Sequence, residues 1–246
     1  MKPYRRLPIL ESHEPLVPIP DALFLRTDPH PYESLGAPYG DTGPWWLRQG
    51  VLAALIEAQS HLDQTHPGHK IKLFDAYRPN RVQAFMVDIE FLSLSGGIAP
   101  EVLAPMIRAS LYEKAFRVWA EPSSDPLTPP PHSTGAAIDM TLADQEGKEI
   151  NMGSPIDENS DRSSPDYFRD LCKEAHENRQ ILARALTAAG FTRHPDEWWH
   201  FSLGDQMWVY RRAQEGFDEG PARYGRADLI RQAAQDQRVL ASIAST

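Results

Sequence analysis

Apolar residues recur at helical spacing over residues 44–62, with Pro44 at an expected first helical turn, and predict a helix. The pattern then switches period. Lys70-Ile-Lys-Leu-Phe-Asp-Ala-Tyr alternates polar and apolar positions and predicts a strand that Arg78-Pro79 ends. Helical spacing returns over 80–94, closed by Gly96-Gly97, and again over 100–120. Residues 121–131 form a Pro- and Ser-rich loop, and Ala136-Ala-Ile-Asp-Met-Thr-Leu is a short apolar strand. A polar loop covers 151–165, and a helix is expected over 166–190 with Gly190 as its stop signal. Residues 197–203 predict a strand, 206–212 its hairpin partner, 213–223 a loop and 226–243 a terminal helix. Residues 1–43, rich in proline and turn formers, predict an irregular arm with one short strand near Ala22-Leu-Phe-Leu. Helices flanking a few short, separated strands predict an α+β fold with a small antiparallel sheet. The expected organisation is one domain over 1–246, with 1–43 as an N-terminal arm and 213–246 as a C-terminal helical extension.

Composition narrows the function classes. A net charge of −9 disfavours nucleic acid as a partner, because little would replace the phosphate counterions. No apolar run reaches the ~18 residues of a membrane span, and Pro8, Glu11 and His13 interrupt any apolar leader near the N-terminus. A cytoplasmic protein without a membrane partner is the expectation. The single cysteine, Cys172, rules out an intramolecular disulfide and reads as a packed helix thiol.

Chemistry concentrates in two clusters. His132 and Asp139 lie seven residues apart in Pro-Pro-Pro-His-Ser-Thr-Gly-Ala-Ala-Ile-Asp, and Glu197-Trp-Trp-His200 follows about sixty residues later. Two imidazoles, one ligand carboxylate and one spare carboxylate suit a catalytic zinc site with an open position and a base beside it. Asp139 sits among apolar neighbours, where a carboxylate needs a partner, unless it faces solvent on an edge strand. For Glu197 and His200 to share one site, Glu197 must stand on a bend just before the strand, since residues three apart otherwise face opposite ways. Arg78, fixed before Pro79, reads either as an oxyanion-stabilising guanidinium or as a surface arginine paired with Asp75.

Three segments carry a family resemblance. Asp75-Ala-Tyr-Arg-Pro, His132-Ser-Thr-Gly-Ala-Ala-Ile-Asp139 and Glu197-Trp-Trp-His200 resemble, in order and separation, the signatures of the VanX-type D-alanyl-D-alanine dipeptidases. These belong to the zinc D,D-peptidases that share a fold with the Hedgehog signalling domain. Met152-Gly-Ser-Pro-Ile-Asp157 is similar to a further loop of that family. The resemblance spans roughly residues 65–210. It implies one zinc ion held by His132, Asp139 and His200, with Glu197 as general base and acid. Arg78 would stabilise the oxyanion, and Asp157 would hold the ammonium group of a small dipeptide substrate. Two positions depart from the family: Pro130 stands where a small hydroxyl residue or glycine is usual, and Ile156 where phenylalanine is. Both bear on substrate contacts more than on metal chemistry. A D,D- or L,D-carboxypeptidase acting on muropeptides, and a non-catalytic zinc-bearing binding module, are the competing readings.

Overall fold

The computed structural model describes residues 2–228, so most of the expected helix over 226–243 lies outside the described residues. In chain order the elements are β1 (Leu16–Pro18), β2 (Leu25–Arg26), α1 (Pro31–Ser34), β3 (Trp46–Arg48), α2 (Gln49–Thr65), β4 (Lys70–Asp75), α3 (Asn80–Leu94), α4 (Pro105–Ala115), β5 (Ala137–Ala143), α5 (Lys173–Ala188), β6 (Thr192–Arg193), β7 (His200–Ser202) and α6 (Gln206–Gln214). Five strands form one sheet in the order β2-β4-β5-β7-β6, and β1 and β3 pair separately. The class is α+β, as expected. All pairs in the larger sheet are antiparallel except β2 with β4, an edge strand contributed by the arm.

Several elements differ from the sequence pattern, each for a local reason. The helix expected from Pro44 starts at Gln49, because Trp46–Arg48 is drawn into a ladder with β1. The helix expected over 100–120 breaks into a 3-10 turn, Pro100–Val102, and α4. Pro105 lacks an N–H and disfavours helical geometry at Ala104. The helix expected from 166 begins only at Lys173, and Cys172 stands just before it. Residues 206–212 are helical rather than a hairpin strand. Asp205 accepts the Trp208 N–H at 2.8 Å and caps α6, and β7 pairs instead with β6 upstream.

The main core lies between the sheet and helices α2 and α5. Val51, Leu55 and Leu62 meet Ile71, Leu73, Ile138, Met140, Leu182 and Leu186, all fully buried. A second cluster of Tyr32, Tyr39, Val82, Met86, Val87 and Trp119 packs around α3. β5 is buried along its whole length, so both its faces are committed. Ile138, Met140 and Leu142 join the main core, which turns Asp139 to the opposite face. Among the described residues, no helix is long and apolar enough to cross a membrane.

Candidate metal centre and active site

The site begins with a row across three strands. Asp75 of β4 lies opposite Asp139 of β5, and Asp139 lies opposite His200 of β7. A regular β4 would point Asp75 the same way as Leu73, into the main core. The register slips between them: Leu73 pairs with Met140 and Asp75 with the adjacent Asp139. This bulge at Phe74 turns Asp75 to the face that carries Asp139. Beside the row, a 3-10 turn, Pro131–Thr134, presents His132. Gly135 ends that turn at φ 71°, and a Cβ there would lie 2.4 Å from Leu16. Arg48 fixes the turn from behind, donating from Nε to the Thr134 carbonyl at 2.7 Å.

The outward partners of the two histidines define their tautomers. His132 Nδ1 donates to the Ala76 carbonyl at 2.7 Å, leaving a lone pair on Nε2. The Ser202 hydroxyl donates to Asp205 at 3.0 Å, so its oxygen accepts from His200 Nε2 at 3.4 Å and leaves a lone pair on Nδ1. These two inward nitrogens lie 3.1 Å apart. Each is also 3.1 Å from an Asp139 carboxylate oxygen. Three lone-pair-bearing atoms facing one another without a proton between them call for a cation. Their spacing is close to the edge of about 3.3 Å that a tetrahedral ion with bonds of about 2.05 Å requires. His132, Asp139 and His200 are therefore a buried set that fits a metal ion.

The remaining residues singled out by the sequence converge on one cavity lined by Arg78, His132, Asp139, Asp157, Glu197, Trp199 and His200. Glu197 stands on the bend before β7, its carboxylate 3.9 Å from His200 Nδ1 and 3.7 Å from His194 Nδ1. Burial pushes its carboxyl up to about 8, with the Lys2 ammonium opposing and the Asp139 charge adding. Arg78 is buried rather than a surface arginine, but the expected pair with Asp75 is present. Nε donates to Asp75 at 2.9 Å, Nη1 to Gln83 at 3.1 Å, and Nη2 to Tyr32 at 3.1 Å and Asp139 at 3.0 Å. Four of its five N–H groups are thus engaged, leaving one on Nη1. Asp157 sits at φ 64° in its loop and accepts the Tyr32 hydroxyl at 2.6 Å. Burial, with the Asp139 charge second, raises its carboxyl to about 7.

Sequence reasoning missed the supports. Asp75 was read only as an ion-pair partner for Arg78. It also accepts from His30 Nε2 at 3.2 Å and from the Tyr39 hydroxyl at 2.7 Å. His30, Tyr32 and Tyr39 come from the arm, where no periodicity marks them. Arg179 of α5 is fully buried and holds the loop that carries Asp157. It donates to the Met152 carbonyl and the Ser164 carbonyl at 2.7 Å each, to Ser154 Oγ at 2.9 Å and to the Arg162 carbonyl at 3.0 Å. Its guanidinium also lies 5.1 Å from the Trp198 ring.

Comparison with known proteins extends the geometry. The model of a family described as D-Ala-D-Ala dipeptidase matches residues 26–218. A D-alanyl-D-alanine dipeptidase of Synechocystis is 42% identical over 93% of this chain and 98% of its own length. One from Escherichia coli is 30% identical over 64% of this chain and 66% of its own. Among solved structures, the LdcB LD-carboxypeptidase is similar at TM-score 0.45 and 16% identity, covering 85% of this chain and 76% of that one. At that distance the likeness says nothing of function. A family match across more than half the chain, with a close relative alongside nearly all of it, places this chain in the D-Ala-D-Ala dipeptidase family of metallopeptidases.

Proposed function

We propose that the chain hydrolyses D-alanyl-D-alanine or closely related D,D-dipeptides at this cavity, with zinc held by His132 Nε2, His200 Nδ1 and the Asp139 carboxylate. The observation that carries the reading is the convergence of these three inward-facing ligand atoms beside the buried Glu197 carboxylate. Two imidazoles and one carboxylate suit zinc better than a hard cation. A divalent ion there supplies Lewis acidity, which polarises a carbonyl and acidifies water.

The chain's own residues supply the rest. Glu197, buried beside the ligand set, takes a proton in its charged form from the attacking water and returns it to the leaving amine. Arg78 keeps one N–H for the oxyanion that develops on the scissile carbonyl, and its other bonds fix its direction. Asp157, steadied by Tyr32, receives the free ammonium group and so favours a substrate with its N-terminus one residue from the scissile bond. Trp199 lines the cavity and packs edge to face on Trp198, ring centroids 5.5 Å apart, which fixes that wall.

The test is release of D-alanine from D-alanyl-D-alanine and from tri-D-alanine, with and without a chelator. Metal-dependent turnover of the dipeptide alone is the expected result. Preferred turnover of longer muropeptides would favour a carboxypeptidase. No turnover with a full metal complement would favour a binding module.

A further inference from the structure

The dipeptide reading leaves one end of the substrate without a partner. A zwitterionic dipeptide brings a carboxylate as well as an ammonium group, and burying that carboxylate without a counter-charge is costly. Asp157 answers the ammonium. Arg78 does not answer the carboxylate, because four of its five N–H groups are taken by Asp75, Gln83, Tyr32 and Asp139 and the fifth is assigned to the oxyanion. Among the described residues, the cation lining the cavity besides Arg78 and the histidines is Lys2.

Lys2 reaches the site because the arm is anchored over it. Tyr4 is buried and lines the same cavity. Arg5 donates to the Thr128 carbonyl at 2.6 Å, and Gln206 of α6 donates to the Leu7 carbonyl at 2.5 Å. Leu10 N–H and Ala222 O pair at 2.8 Å a few residues on. Lys2 also lines a groove that runs outward past Val118, Asn159 and Ser160, and it shares Val118 and Glu197 with the inner cavity. It therefore stands where cavity and groove meet. Among the described residues its ammonium makes no hydrogen bond or ion pair, yet its charge is felt by Glu197 and His194. Asp157 is held elsewhere, against Tyr32.

We propose that Lys2 is a specificity-determining residue that binds the C-terminal carboxylate of the dipeptide. This rests on the dipeptidase reading. A substrate longer by one residue would carry its carboxylate past Lys2 into the groove, which gives the length preference a second cause beside Asp157.

The experiment compares D-alanyl-D-alanine with its C-terminal amide in the full chain, in Lys2→Met and in Lys2→Arg. The unaltered enzyme should prefer the free acid on the order of tenfold in kcat/KM, as one added charge pair allows. Lys2→Met should lower kcat/KM for the acid by about that factor more than for the amide, chiefly through KM, and so erase the preference. Lys2→Arg should restore most of it. An unchanged acid-to-amide ratio in Lys2→Met overturns the proposal, as does an equal loss on both substrates, which would mark a structural role. If the unaltered enzyme hydrolyses neither, the dipeptidase reading itself has failed and this one falls with it.

Discussion

At the scale of single residues, Glu197 and His132 are separable by what each removes. Glu197 touches none of the hydrogen bonds that orient the ligand set, whereas His132 contributes a ligand atom and a bond to Ala76. Glu197→Gln should lower kcat by roughly 10²–10⁴, the usual share of a positioned proton carrier, while one metal ion per chain remains. His132→Ala should lose the metal. Atomic absorption alongside kcat distinguishes the two, and a Glu197→Gln enzyme of near-normal rate would refute the role. Asp157 gives a pH prediction. Its carboxyl, raised to about 7 chiefly by burial, is charged only above that pH. Ammonium binding needs the charged form, so KM for a dipeptide should climb as pH falls through about 7. Asp157→Asn should show a high KM without that slope.

At the scale of elements, the loop carrying Asp157 depends on a side chain of a distant helix. Arg179 satisfies the Met152, Arg162 and Ser164 carbonyls and Ser154 Oγ. Arg179→Met strands these acceptors, at about 1–3 kcal/mol for each that stays buried. A net loss of about 3 kcal/mol would lower Tm by roughly 6–12 °C for a chain of this size. KM should rise with it, because Asp157 loses its frame. A variant with native Tm and native KM would show that the loop holds itself. The same scale explains what the sequence could reveal. Asn80–Leu94 matches its expected helix end to end, since periodicity and the closing glycines act locally. The candidate ligand residues stood out in the sequence because a carboxylate inside Ala-Ile-Asp-Met needs a partner unless it faces solvent. The turn of Asp75 toward the site was not, because the bulge at Phe74 exists only once β4 meets β5. The strand expected over 206–212 failed because capping by Asp205 outweighed a short ambiguous pattern.

At the scale of the whole molecule, the ligand set ties together segments that local structure leaves independent. His132 comes from a turn braced by Arg48, Asp139 from the buried strand β5, and His200 from the three-residue β7. Two of the three stand side by side on the row that crosses the sheet. Without a cation, the converging lone pairs repel one another at the sheet's centre. With one, the turn and both strands share a common anchor. An unfolded chain cannot offer that arrangement, so binding adds directly to folding free energy. With free ion at about a thousand times Kd, the gain is about 4 kcal/mol, or roughly 8–16 °C in Tm. Thermal melts of the metal-loaded protein should therefore fall by this order on chelation and recover when zinc is returned. His132→Ala should melt near the chelated protein and ignore added zinc. Equal melting temperatures with and without chelator, in protein that carries no metal as purified, would remove the ligand assignment and the catalytic reading built on it.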